Sequence, residues 1–157
     1  MSEKYSVIIP TYNEKDNLPI MVFFLDEMFT LNKISYEIII VDDNSQDGTG
    51  QIADNLKLHS KWSKNVKVLH RAGKLGLGTA YIDGLVLCSG THIILMDSDL
   101  SHQCKYIPQF IEKMNKTKCD IVLGTRYEET GGVIGWSLFR FITSQGRNYK
   151  EVFLIVL

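Results

Sequence analysis

The sequence has no apolar run of membrane-spanning length. The longest, IMVFFL (20–25) and VFLIVL (152–157), fall far short of the ~20 residues a helical span needs. The opening MSEKYSVIIP lacks a basic region followed by a long apolar stretch, so no signal peptide is expected. Cysteine is scarce: Cys88, Cys104 and Cys119 are odd in number and show no CxxC spacing. That argues against a disulfide framework and for reduced thiols in a soluble, cytosol-facing chain, which leaves open that it rests against a membrane. Net charge is −1 and no Lys/Arg run stands out, so nucleic-acid binding has no electrostatic footprint. Repeats and low-complexity segments are absent. Phosphate loops are missing too. RAGKLGLG (71–78) has Leu75 where a P-loop needs Ser or Thr, and GLGTAY (76–81) ends in Tyr81 where a dinucleotide loop needs glycine.

What remains is an ordinary globular composition, 45% hydrophobic and 22% charged over 157 residues, which suits one domain with a real core. Apolar runs of strand length alternate with helix-period segments. Strands are predicted at 5–10, 36–41, 66–70, 93–96 and 119–124. Helices are predicted at 16–31 (Leu18, Val22, Leu25 and Phe29 inward), 46–61 (Ile52 and Leu56 inward), 77–89 and about 106–118. Gly84 weakens the third helix by about 1 kcal/mol against Ala. This β-α order predicts an α/β fold with a mostly parallel sheet flanked by helices. Beyond Gly124 the pattern loosens to a Gly-Gly turn, a helix near 136–145 and an apolar tail expected as an unpaired edge strand.

Ligands of open parallel sheets bind at the carboxyl ends of the strands, and the polar residues collect there. The first strand leads into PTYNE (10–14), the second into VDDNSQDGT (41–49), the fourth into Asp97 and Asp99, the fifth into Gly124, Thr125 and Arg126. Several of these have ordinary structural readings. Asp42, Asn44, Ser45 or Asp47 suits a helix cap, and Glu14 suits the first turn of a helix. His102 and Cys104 offer zinc donors, but no second His/Cys pair has ligand spacing. The IILMDSDLSH block (93–102) is harder to explain by structure alone. It reads as a strand buried on both faces that ends in two carboxylates. In an extended chain they point the same way, roughly 7 Å apart. Such like charges demand a cation between them. Hard oxygen donors suit Mg²⁺ or Mn²⁺, and Mg²⁺ completes its octahedron with substrate phosphates and water. The pair therefore implies a phosphate-bearing substrate gripped mainly through metal.

VIIPTYNE, IIIVDDNSQDGT, GLGTAYIDG, IILMDSDLSH, DIVLGTRY and GGVIGW occur in this order and resemble the family 2 glycosyltransferases with a GT-A fold, from about Tyr5 to Asn148. The resemblance implies a Rossmann-like, mostly parallel sheet flanked by helices, with its C-terminal part missing. It also implies a single domain over 1–157, with a nucleotide-sugar-binding core at 1–126 and a partial acceptor-side segment at 127–157. Pro10, Tyr12, Glu14, Ile40 and Asp42 would surround the base. Asp97, Ser98 and Asp99 would form an Asp-x-Asp motif, with Asp99 on the metal, Asp97 beside it on the nucleotide-sugar, and Arg126 facing the phosphates. Asp97, Asp99 and Arg126 would carry catalysis. The implied reaction is metal-dependent, inverting transfer of mannose from GDP-mannose to dolichyl phosphate, serving protein glycosylation and GPI-anchor synthesis. The implied place is the cytosolic face of the endoplasmic reticulum membrane, peripheral, beside small membrane-embedded partner subunits.

Departures from the family pattern accompany the match. DLSHQC (99–104) lacks a usual proline, and Phe139, Phe141 and Gln145 stand where basic residues are common. The family also continues well past this chain's last residue, so acceptor binding is expected to be impaired while the nucleotide half is intact. Three other readings stand beside this one: a UDP-glucose-dependent dolichyl-phosphate glucosyltransferase, a truncated inactive nucleotide-sugar binder, and a phospho-accepting receiver domain with Asp97 as acceptor.

Overall fold

The computed structural model describes residues 3–124 and the backbone of 154–156. Six strands alternate with four helices: β1 Lys4–Thr11, α1 Asn17–Leu31, β2 Ser35–Asp42, α2 Thr49–Leu58, β3 Val66–His70, α3 Leu77–Leu85, β4 His92–Leu95, a 3₁₀ turn Cys104–Tyr106, α4 Ile107–Thr117, β5 Ile121–Leu123 and β6 Leu154–Val156. They form one sheet in the order β3-β2-β1-β4-β6-β5. β1 pairs in parallel with β2 and β4, and β2 with β3.

β-branched runs make the central strands, because such side chains pack well on a pleated surface covered on both sides. Val7, Ile8, Ile9 and Ile38 to Val41 are all at 0% exposure. Alternate residues feed two cores. Val7, Ile9, Ile38 and Ile40 meet α1, α2 and α4, where the predicted stripe of Leu18, Val22, Leu25 and Phe29 is buried. Ile8, Ile39 and Val41 meet Ala80 of α3 on the other face. Each such side chain contributes roughly 1.5–3 kcal/mol by leaving water. Gly84 has its explanation here: a Cβ at that position would lie 2.6 Å from Ile8 Cγ2 and 3.1 Å from Val41 Cγ2. The helical penalty of glycine is the cost of seating α3 this close to the sheet.

The sheet edge away from the polar rim is stapled by Glu37. Its carboxylate accepts from Lys4 Nζ at 2.8 Å, Ser6 Oγ at 2.6 Å and Ser89 N at 2.5 Å, and pairs with Lys67 Nζ at 3.0 Å. Burial pushes its pKa up, but the bonds from Lys4, Ser6 and Ser89 outweigh that and hold it well below the usual carboxylate range.

Four sequence expectations need correction or limits. The tail is not an unpaired edge: Leu154–Val156 runs antiparallel between β4 and β5 and satisfies its backbone on both sides. The second helix begins at Thr49, not 46. Asp47 Oδ1 accepts from Thr49 N (3.0 Å) and Oγ (2.6 Å), and Gly48 turns at φ +95°. β4 is fully buried on one face only, with Ile94 buried and Ile93 and Leu95 half-buried. It ends at Leu95, so the two carboxylates follow in a bend, where Leu100 has φ +63°, and do not sit on an extended rung. The helix predicted near 136–145 lies outside the described residues.

Candidate active site

Two loops at the carboxyl edge are laced together. Asn13 N donates to Ser45 Oγ at 2.9 Å, Gln46 N to Asn13 Oδ1 at 3.0 Å and Glu14 N to Thr49 Oγ at 2.8 Å. Asn13 (φ +58°) and Asn44 (φ +61°) adopt the left-handed turns this needs, which asparagine tolerates better than most residues. Asp42 builds this loop directly: its carboxylate accepts from Ser45 Oγ at 2.5 Å and Ser45 N at 3.3 Å. Glu14 accepts from Asn17 Nδ2 at 2.7 Å at the start of α1. Pro10 is half-buried, whereas Ile40 is wholly buried in the core. The Ile40 side chain therefore packs beneath the rim and exposes no surface there. Among the helix-cap candidates, Asp47 makes the bonds to Thr49.

Tyr12 stands exposed on the first of these loops, and Lys74 Nζ sits 3.8 Å above its ring centroid, a cation–π contact. Lys74 belongs to the β3–α3 loop, which Arg71 organises. The guanidinium, 3% exposed, lies 2.5 Å from Asp43 Oδ1, whose side chain is 9% exposed. It also donates to Gly76 O (3.2 Å) and Thr79 Oγ (2.6 Å). Its Nε sits 3.0 Å from Asp83 Oδ2, close enough for charge attraction though off the hydrogen-bond line. The sequence reading weighed this segment only as a phosphate loop and gave Arg71 and Lys74 no place in the site. The signal was an Arg-x-x-Lys run leaving the half-buried edge strand β3.

Asp97 and Asp99 have unlike surroundings. Asp97, whose side chain is 44% exposed, accepts from Tyr81 Oη at 3.1 Å and faces His102 Nε2 at 3.9 Å. Its amide donates to His102 Nδ1 at 3.1 Å, which fixes the proton of a neutral imidazole on Nε2. Tyr81 is raised far above its ordinary pKa by burial and by the Asp97 charge, so its hydroxyl is a donor at any working pH. Asp99 is exposed and accepts from Ser101 N at 2.9 Å. Burial pulls its pKa up, but bonds from Ser101 and the nearby His102 outweigh that and lower it, so it stays ionised. Ser98 is buried between them. Arg126 lies outside the described residues. Cys104 is buried, with its thiol against Met21 Sδ at 3.6 Å, and among the described residues no group of three or more His, Cys, Asp or Glu could hold a zinc ion.

These donors fit a hard divalent cation. Among the described residues no Lys or Arg lies within 4 Å of either carboxylate, and no group of three or more His, Cys, Asp or Glu could enclose a metal. Two carboxylates can hold such an ion only if ligand oxygens and water supply the rest. A groove of about 520 Å³ behind this loop presents mostly apolar surface from Phe24, Met28, Leu31, Leu100, Cys104 and Pro108, and Glu27, Asn32, His102, Gln103 and Lys105 also line it.

Comparison with known proteins gives three findings. The sequence profile described as "Glycosyl transferase family 2" matches residues 6–155. Dolichol-phosphate mannosyltransferase of Pyrococcus furiosus is 41% identical over 143 residues, covering 91% of this chain and 39% of that protein. Polyprenol monophosphomannose synthase of Mycolicibacterium smegmatis is 35% identical over 157 residues, 98% of this chain and 57% of its own length. The chain thus spans less than two-thirds of either curated relative. Among solved structures, S. aureus TarS 1-349 superposes with a TM-score of 0.65 at 25% identity, over 87% of this chain and 40% of that one. Mannosyltransferase PcManGT of Pyrobaculum calidifontis, in complex with GDP-Man and Mn²⁺, superposes at 0.67 and 18% identity, over 82% and 37%; at that identity the likeness is one of fold.

Proposed function

We propose, from the premise that this chain belongs to glycosyl transferase family 2 and carries its GT-A fold, that its carboxyl edge binds GDP-mannose. The whole protein would pass the mannosyl group to a polyprenyl phosphate such as dolichyl phosphate. The names of the two curated relatives, both pairing mannose with a polyprenol phosphate, support the substrate classes. The observation that carries the reading is the unlike acid pair: Asp97 held by Tyr81, Asp99 ionised and without Lys or Arg beside it among the described residues.

In this proposal Asp99, with Asp97 beside it, would hold Mg²⁺ or Mn²⁺, which when bound neutralises charge on the nucleotide diphosphate. Tyr12 and Lys74 flank the base, with Pro10, Glu14 and the Asp42 loop forming the wall. Asp97 accepts hydrogen bonds from the sugar side, and Arg126 faces the phosphates. The acceptor phosphate has a second pKa near 6, so it is largely dianionic at neutral pH and needs no strong base. In-line attack inverts the anomeric centre. Residues 1–126 serve as the nucleotide half and 127–157 as part of the acceptor side. The setting is a membrane surface, the cytosolic face of the endoplasmic reticulum with small membrane-embedded subunits; no described helix is long and apolar enough to cross a membrane. Family membership sets the receiver-domain reading aside.

Nucleotide-induced thermal shift tests the choice of donor. GDP and GDP-mannose with Mn²⁺ are expected to raise the melting temperature more than UDP and UDP-glucose. The reverse order would favour a glucosyltransferase, and no shift with any nucleotide would remove the proposal.

A further inference from the structure

We infer that Tyr81 is a positioning residue for the donor sugar, holding Asp97 in the orientation that receives sugar hydroxyls; this rests on the function proposed above. Of the two acids, Asp97 is the one that takes a hydrogen bond from a neighbouring helix. Tyr81 Oη donates to its Oδ1 at 3.1 Å, and His102 stands 3.9 Å from its Oδ2 with its Nδ1 taken by the Asp97 amide. A carboxylate offers about four acceptor positions. One bond from a neutral phenol fixes the rotamer and stabilises the charge without cancelling it, so the remaining positions stay available to ligand O–H groups.

Tyr81 is itself held firmly. It lies on α3, where Thr79 and Asp83 on either side of it in sequence are both gripped by Arg71. Gly84 seats the same helix against Ile8 and Val41. The phenol thus approaches Asp97 from a helix that cannot drift without breaking the Arg71 cluster. Through Arg71 the path continues to Asp43 at the end of β2, beside the loop proposed to hold the base. The support of Asp99 is local, from Ser101 and the nearby His102 rather than from a helix. The asymmetry assigns the built, pre-oriented acid to the part of the ligand needing directional recognition.

The test is calorimetric titration of the full chain and of Tyr81→Phe with GDP and with GDP-mannose, each with Mn²⁺, beside thermal melts. The ring and its packing survive in Tyr81→Phe. Loss of one hydrogen bond to a charged group is expected to weaken GDP-mannose about 10-fold. GDP binding should stay within about two-fold, since GDP carries no sugar for Asp97 to orient, and the melting temperature should fall by about 4 °C at most, since the part-exposed Asp97 can take a water in place of the lost bond. Equal weakening of both ligands, no weakening of either, or a large fall in melting temperature would overturn the assignment. An unsubstituted chain that binds neither ligand would overturn the functional reading, and this one with it.

Discussion

Replacing Arg71 by Met tests whether the β3–α3 loop is built on a buried ion pair. The side chains of Arg71 and Asp43 are 3% and 9% exposed and 2.5 Å apart. In Arg71→Met the Asp43 carboxylate keeps its burial and loses its counter-charge, which costs about 3–5 kcal/mol. Gly76 and Thr79 each lose one bond, but Gly76 O keeps Ala80 N and the Thr79 hydroxyl keeps the Leu75 carbonyl, so the penalty concentrates on Asp43. At about 2–4 °C per kcal/mol for a chain of this size, the melting temperature should fall by about 10 °C. The decisive assay is a double-mutant cycle by urea or thermal unfolding with Asp43→Asn. Neutralising the orphaned acid should make Arg71→Met/Asp43→Asn more stable than additivity of the two single changes allows. A fall of under 3 °C for Arg71→Met, or strict additivity in the cycle, would refute the reasoning.

Two further outcomes follow from the packing. Glu37 titrates below the usual carboxylate range in the folded chain. Its stabilisation is therefore complete above the unfolded value of about 4.3 and is lost as pH falls through the lower folded value. Urea midpoints should show Glu37→Gln far less stable than the unsubstituted chain at pH 7, with the gap narrowing at pH 3; a gap that widens with acid would contradict the sign. On α3, Gly84→Ala gains about 1 kcal/mol of helix propensity against an overpacking cost of about 1–3 kcal/mol, so melts should show no gain or a net loss. Gly78→Ala, with nothing within 4 Å of the new Cβ, should be neutral or stabilising, and the opposite order would mean the close approach is not tight.

The sequence made the parallel half of the sheet legible because its central strands are uninterrupted β-branched runs, Val7 to Ile9 and Ile38 to Val41, which have one sensible place in a fold. The Asp-x-Asp pair stood out in the sequence because two acids after an apolar run are costly without a purpose, but the bend that carries them beyond Leu95 did not. The antiparallel insertion of Leu154–Val156 was not legible, since an apolar run carries no mark of its partners. Nor was the site's support. Arg71, Lys74 and Tyr81 are single residues on a loop and a helix, and only the tertiary contacts with Asp43, Tyr12 and Asp97 give them meaning. Gly84 looked like a local defect because the methyl groups it makes room for lie on strands more than 40 positions away in the chain.

The central claim is that Asp99 couples nucleotide binding to a divalent cation. Calorimetric titration of GDP in the presence of Mn²⁺ or EDTA, on the unsubstituted chain and on Asp99→Asn, tests it directly. Binding should be strong with Mn²⁺ and weak with EDTA, and Asp99→Asn should bind weakly in both. GDP affinity indifferent to EDTA, or an Asp99→Asn variant with unchanged Mn²⁺ dependence, would contradict the account.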